Sequence, residues 1–366
     1  MSTPKTSFRV TVIGGDGIGP EVTAVGADVL RTLAELRGWD LALDVQDLGA
    51  DRYLRDGTTF PEEVAADIRD RSDAVLLGAL GDPRVPGNEH ARDILFGLRF
   101  GLDLYCNVRP VQCLHERLLP LKRFEPADVD FTVFRENTEG IYVGMGGHFK
   151  KGTPDEIAIQ EDVNSRKGVE RVIRAAFAHA ERTGAGSVHM ADKHNAMVHA
   201  HELWHRVFKE VAAEHPGLEA HHVYVDALCL YLVQDPRPFE VIVTCNLFGD
   251  IVTDLAAGLQ GGMGMAASAN VRPASADGTG PRCAGLFEPV HGSAPPLAGK
   301  DVANPFATVL TVGQLLMHLG HPAEEARLRG LVERGLREGN CTRDVGGELG
   351  TKALGAWVCE QLRAEG

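Results

Sequence analysis

The stretch EVIVTCNLFGDIVTDLAAGL, residues 240–259, decides how the rest of the chain reads. It opens with the β-branched run Val241-Ile242-Val243-Thr244 and pauses at Cys245-Asn246 and Phe248-Gly249. It then continues as an apolar periodic segment with Asp250 and Asp254 in its first two helical turns. The expected local structure is a strand, a turn and a helix with two acids on one face. At a spacing of four the acids stand about 5–6 Å apart, where like charges cost a few tenths of a kcal/mol unless a cation lies between them. A hard divalent ion would remove that cost. The plainer reading is that both acids favour the positive end of the helix dipole.

The same alternation recurs outward from this stretch. Residues 8–14, FRVTVIG, form an apolar strand leading through GGDGIGPEV into a helical pattern over 21–36. Asp16 inside that loop and Pro20-Glu21 at the helix start depart from the dinucleotide G-x-G-x-x-G spacing, so the loop is not a Rossmann fingerprint. A strand over 41–48, a helix over 61–71 and the fully apolar strand AVLLG at 74–78 follow, as in a parallel sheet covered on both faces. The expected fold class is therefore α/β with doubly wound layers. Further helices are expected over 89–100, 165–182, 198–213, 227–233, 307–319, 323–338 and 353–362, and strands at 187–191 and 221–225. Residues 144–158, GMGGHFKKGTPDEIA, read as a protruding hairpin arm. Alone such a ribbon is marginal, so it is expected to pair with another subunit. The Gly/Ala-rich run GLQGGMGMAASANV has no periodicity, and VHGSAPPLAGKDVANP is a loop whose small residues admit a close backbone approach.

With 366 residues the chain is long enough for two lobes, and its net charge of -14 argues against nucleic acid or an anionic membrane as partner. An anionic substrate must then be caught by local arginines. Arg92, Arg99, Arg109 and Arg135 sit at helix and strand ends, where guanidinium forks can take carboxylates in bidentate fashion. Seven cysteines without C-x-x-C or C-x-x-H spacing point to reduced thiols in a cytoplasmic protein, neither a disulfide frame nor a cysteine zinc site. No signal peptide pattern or long apolar span is present, so no membrane association is expected.

GDGIGPEV, LRFGLDLYCNVRP, RENTEGIYVG, DKHNA, CNLFGDIVTDL, FEPVHGSAPPLAG with ANP, and TRDVGG occur in one order along the chain. In that order and spacing the sequence resembles the isocitrate/isopropylmalate dehydrogenase family of metal-dependent β-decarboxylating dehydrogenases over nearly its whole length. It looks nearest to the isopropylmalate and tartrate branches, whose substrates share a malate core. The resemblance implies a two-lobed, non-Rossmann α/β fold with a dimerisation arm at 144–158. One lobe would comprise 1–104 and 262–366 and bind cofactor; the other, 105–261, would bind substrate and metal and dimerise.

It further implies oxidation of a malate-type 2-hydroxy acid by hydride transfer to NAD, followed by loss of CO2. The expected substrate is 3-isopropylmalate, with tartrate, malate or homoisocitrate as alternatives. Asp226, Asp250 and Asp254 match the family's metal carboxylates, an oxygen-only set suited to Mg2+ or Mn2+. Lys193 matches the base that takes the hydroxyl proton, and Tyr142 the acid that returns a proton to carbon. Arg99, Arg109 and Arg135 match the carboxylate-binding arginines. Lys193 and Asp226 would complete the neighbouring subunit's site in a homodimer. Gly264, His291, Gly292, Ser293, Ala294 and Asn304 match the adenosine-binding loops.

Two positions depart from the family pattern. Pro296 stands where NAD enzymes carry an acid and NADP enzymes a lysine, and Arg343 could meet a 2′-phosphate, so both cofactors stay open. Arg92, Leu95 and Phe96 replace the Glu and two leucines of the isopropyl wall. Arg84 and Arg92 could bind a distal carboxylate, and Phe96 could narrow the pocket. The competing class of function is a non-catalytic regulatory subunit of the same fold.

Overall fold

Strands and helices alternate from end to end in the computed structural model, which describes residues 5–273 and 280–366. The chain opens with β1 (Ser7–Gly15), α1 (Gly19–Arg37), β2 (Asp40–Gln46), α2 (Ala50–Asp56), α3 (Glu62–Arg71), β3 (Ala74–Ala79) and α4 (Glu89–Gly101). The middle runs through β4 (Cys106–Gln112), β5 (Asp130–Glu136), β6 (Gly146–Phe149), β7 (Ile157–Gln160), α5 (Arg166–Thr183), β8 (Ser187–Asp192), α6 (Ala200–Ala212), β9 (Glu219–Tyr224), α7 (Val225–Gln234) and β10 (Val241–Thr244). It closes with α8 (Asn246–Leu259), β11 (Ala267–Val271), β12 (Gly285–Pro289), α9 (Phe306–His318), α10 (Pro322–Glu338) and α11 (Thr351–Glu365). The expected α/β class holds.

Two compact units divide the chain. The first comprises Met1–Leu104, Gln112–Ala127 and Ala257–Gly366, and the second Tyr105–Val111 and Asp128–Ala256. In the first, the strand order is β2-β1-β3-β12-β11. β1 pairs in parallel with β2 and β3, β12 in parallel with β3, and β11 antiparallel with β12. Every residue of β3 is buried, as a strand covered on both faces requires. Ile13, Val75, Leu77 and Leu286 of these strands pack with Ile68 of α3 and Ile94, Leu98 and Leu102 of α4, which seats α4 and its arginines on the sheet.

In the second unit the order is β4-β5-β10-β8-β9, with β5, β10, β8 and β9 successively parallel. α5 starts at its cap Ser165, whose side chain accepts from the Gly168 amide, and buries Val169, Val172, Ile173 and Phe177. Phe177 meets Phe208 of α6 with ring centroids 5.6 Å apart. β6 and β7 form the antiparallel ribbon of the expected arm, and all eight of their residues are exposed.

Some elements differ from the expectation. α8 begins at Asn246, so Phe248-Gly249 lies inside the helix and is no break. β11 forms in the Gly/Ala-rich run because pairing with β12 supplies the order that its small side chains do not. α2, a seven-residue helix ended by Gly57 in the left-handed region, forms where no element was expected.

Candidate active site

The register of β5 against β10 sets Arg135 beside Thr244, and α8 begins two residues further on. The Arg135 side chain therefore runs along the first turns of α8. Its Nε and Nη2 donate to Asn246 Oδ1 at 3.0 and 2.8 Å, and its Nη1 donates to Asp250 Oδ1 at 2.5 Å. Gly249 makes this possible, since a Cβ there would lie 2.5 Å from Arg135 Cγ. That close approach explains a glycine inside the helix.

Around this axis the second unit gathers further expected residues. Arg109 on β4 donates through Nη1 to Thr253 Oγ1 at 2.5 Å and lies 3.8 Å from Asp250 Oδ1. The Tyr142 hydroxyl donates to Asp250 Oδ2 at 3.4 Å, and the Arg135 guanidinium carbon is 5.5 Å from the Tyr142 ring centre. Arg109, Arg135, Tyr142 and Asp250 thus form one constellation. Asp254 lies one turn beyond Asp250. Partial desolvation first and the Asp250 charge second hold its carboxyl above the usual range, against the pull of Arg109 and Arg135. A carboxylate pair strained by its own repulsion, with oxygen as its only donor, fits a hard divalent cation.

Lys193 follows β8 and Asp226 is the second residue of α7. Lys193 Nζ donates to Asp226 Oδ1 at 2.6 Å and stands 5.4 Å over the Tyr224 ring. Bonding to Lys193 is the leading reason the Asp226 carboxyl is held below the usual range. Among the described residues, Asp226, Asp250 and Asp254 do not converge as a three-ligand group within one chain.

In the first unit, Arg92, Leu95, Phe96 and Arg99 share one face of α4 by their spacing of three and four. Arg99 is buried; its Nη2 donates to Glu288 Oε1 at 3.0 Å, while its buried Nε has no partner among the described residues. Glu288 is held in turn by Asn270 Nδ2 at 2.9 Å. Leu95 packs on the core cluster, Phe96 stacks on Phe100 at 5.4 Å, and the exposed Arg92 lies 3.5 Å from Asp93. Arg84 is engaged by Asp82 and Asp51, each at 2.7 Å.

The expected cofactor residues fall into two groups in this unit. His291, Gly292, Ser293 and Ala294 follow β12, and the Ser293 carbonyl accepts from the Ile18 amide at 2.8 Å. Gly17 at φ 59° permits that contact, because a Cβ would collide with the Ser293 carbonyl. His291 Nε2 is buried without a partner among the described residues, and burial pulls the imidazole pKa down. A neutral ring with a free buried nitrogen fits a ligand edge. In the second group Asn304 Nδ2 donates to Asp344 Oδ2 at 3.0 Å, and a Cβ on Gly264 would lie 3.1 Å from Asn304. Arg343 is exposed beside Asp344.

Sequence reasoning missed the residues that hold these groups. Asp16, noted only as foreign to a Rossmann loop, accepts from the Ala50 and Gly81 amides at 2.7 Å each and bonds His90 Nε2 at 2.8 Å. Asn246, Thr253 and Glu288 were visible only as motif letters, since their partners lie more than a hundred residues away.

Known proteins resemble the chain along its length. The sequence model of the family described as isocitrate/isopropylmalate dehydrogenase matches residues 9–358. A 3-isopropylmalate dehydrogenase of Thermobifida fusca is 44% identical over 360 residues, covering 98% of this chain and 99% of the relative. One from Beutenbergia cavernae is 45% identical over 355 residues, covering 95% and 99%. Among solved structures, an isocitrate dehydrogenase of Methylococcus capsulatus superposes with a TM-score of 0.83 at 34% identity, covering 97% and 99% of the two chains. A β-decarboxylating dehydrogenase of Thermococcus kodakarensis gives 0.77 at 32%, covering 98% and 96%.

Proposed function

We propose, from the premise that this chain belongs to the isocitrate/isopropylmalate dehydrogenase family, that it oxidises and decarboxylates 3-isopropylmalate with NAD and Mg2+ or Mn2+. The observation that carries the reading is the constellation of Arg109, Arg135 and Tyr142 around Asp250. Two buried guanidinium groups beside a carboxylate pair suit a dianionic substrate. Arg109 and Arg135 bind its carboxylates, and Arg99, whose buried Nε has no partner among the described residues, binds a carboxylate too. Asp250 and Asp254 would hold the divalent cation, and Asp226 of a second copy would complete its ligands. Once bound, the nicotinamide would supply the hydride acceptor, and the cation would supply positive charge to offset the negative charge growing on the substrate oxygens.

Lys193 takes the substrate hydroxyl proton as hydride leaves the same carbon, giving the ketone. After CO2 departs with the bond between the two carbons broken, Tyr142 donates the proton that converts the enolate to the product ketone. Asp226 keeps Lys193 oriented through its 2.6 Å bond. Leu95 and Phe96 contact the substrate's side arm, with Arg92 at its outer edge. His291, Gly292, Ser293, Ala294, Gly264 and Asn304 hold the adenosine end of the cofactor. Pro296 offers no charge toward a 2′-phosphate, which favours NAD.

The working form is a cytoplasmic homodimer. Leu230, Tyr231 and Val233 on α7, Ile251 on α8, and Phe149, Ile157 and Ile159 on the arm are all exposed apolar side chains. Faces of that kind need a partner surface. Phe96 stacked on Phe100 favours a second reading, a malate with a smaller side arm. Steady-state NADH formation decides between them with 3-isopropylmalate, tartrate, malate and homoisocitrate as separate substrates. The proposal expects the highest kcat/KM on 3-isopropylmalate and a tenfold or greater loss with NADP. A preference for another malate would overturn the substrate, and inactivity on all four would overturn the enzyme.

A further inference from the structure

Four side chains that the proposed reaction does not use come together beside Lys193. Asp192, the last residue of β8, is buried, with 1% of its side chain exposed. Its carboxylate receives His222 Nε2 at 2.8 Å and His194 Nδ1 at 3.0 Å. His205 of α6 completes the group, its ring 4.4 Å from His194 and 4.8 Å from His222 between centroids. One potential ligand atom from each of the four lies within 4.8 Å of the other three.

The fold sets this arrangement. In the parallel register of β8 and β9, His222 pairs with Met190 and Tyr224 with Asp192, so Asp192 and His222 share the face on which α6 packs. His194 opens the turn after β8. His189 and His221 point to the opposite face by the same alternation and stack on each other at 4.8 Å.

We propose that Asp192, His194, His205 and His222 form a binding site for a borderline transition-metal cation of the Zn2+ class. Three imidazoles and one carboxylate are the ligands such ions select, whereas Mg2+ and Mn2+ prefer oxygen alone. Hydrogen bonding within the group does not satisfy it: the buried Nδ1 of His205 has no partner among the described residues. The Tyr224 hydroxyl lies 3.4 Å from His194 Nε2, the outer contact that orients a ring ligating through its other nitrogen. With metal–nitrogen bonds of about 2.0–2.1 Å, tetrahedral donors stand roughly 3.4 Å apart, so on binding the widest separations, at most 4.8 Å, would close while the 2.8 and 3.0 Å contacts of Asp192 would open by about half an ångström. The site shares no residue with Asp226, Asp250 and Asp254. Because Asp192 and His194 flank Lys193, its occupant would brace the turn that carries Lys193.

The test uses the full chain, stripped with a chelator and supplied with excess Mg2+ to fill the oxygen site. One equivalent of Co2+ per chain is then added. The intense visible bands of four-coordinate Co2+ are expected, discharged by one equivalent of Zn2+. They should persist in Asp250→Asn and vanish in His205→Gln and His222→Gln. X-ray absorption on the Zn2+-loaded wild type needs no variant and should find imidazole outer-shell scattering. A pale six-coordinate Co2+ spectrum, bands that survive both histidine substitutions, or an all-oxygen zinc shell would each overturn the site. None of these readouts depends on turnover, so their failure is separate from failure of the dehydrogenase reading.

Discussion

Arg135 is the side chain through which the second unit's constellation is assembled. It spans from Asn246 to Asp250 along α8, and Gly249 leaves the groove in which it lies. In a helix interior Ala is better than Gly by about 1 kcal/mol. At position 249, however, the added methyl would meet Cβ, Cγ and Cδ of Arg135, the near end of a side chain that is pinned at its tip. Overpacking of this kind costs about 1–3 kcal/mol, so the clash wins. Gly249→Ala is expected to lower stability in urea by about 1 kcal/mol and to raise KM for the hydroxy acid at least tenfold. A variant more stable than wild type with unchanged KM would show that Gly249 is an ordinary helix glycine. That Asp250 and Asp254 share one helix face was legible from their spacing, whereas a metal role for them rests on the family resemblance. The clasp of Arg135 on Asn246 was not, because no local pattern marks a bond across 111 residues.

At the scale of elements, the glycine loop after β1 is held by its acid. The Asp16 carboxylate joins the loop to the starts of α2 and of the segment after β3 through the Ala50 and Gly81 amides, with His90 of α4 on the same oxygen as Gly81. Leaving the buried Ala50 amide without an acceptor costs about 1–3 kcal/mol, and the part-buried Gly81 amide adds somewhat less. Asp16→Ala is therefore expected to destabilise the protein by roughly 2–5 kcal/mol, and Asp16→Asn, which keeps one acceptor oxygen, by clearly less. Equal losses in denaturant unfolding would remove the amide-anchoring role. The long helices and β3 were legible because burial imposes periodicity on them. β11 was not, since Ala267–Val271 owes its strand conformation to its partner β12. α2 is short and largely exposed, and it writes almost no apolar period into the sequence.

Across the whole molecule, the order of seven motifs carried the family assignment, and the length of the matches carries it independently. The His/Asp group beside Lys193 stayed invisible because its members come from a strand end, a turn, a helix and a second strand. Residues of the second unit also bear on assembly. Lys193 and Asp226 bond each other, while Asp226 does not meet Asp250 and Asp254 in one chain among the described residues. Under the proposed function each site would combine residues of two copies related by a two-fold axis. Dimers carrying one Lys193→Ala copy and one Asp250→Asn copy, purified through two different tags, test this directly by NADH formation from 3-isopropylmalate. Each parent variant is expected to be inactive, and the mixed dimer to regain one intact site of two, about half the wild-type rate. A Lys193→Ala/Asp226→Ala mixed dimer should stay inactive, because both losses fall on the same pairing. Inactivity of the first mixed dimer, or recovery in the second, would contradict the shared site.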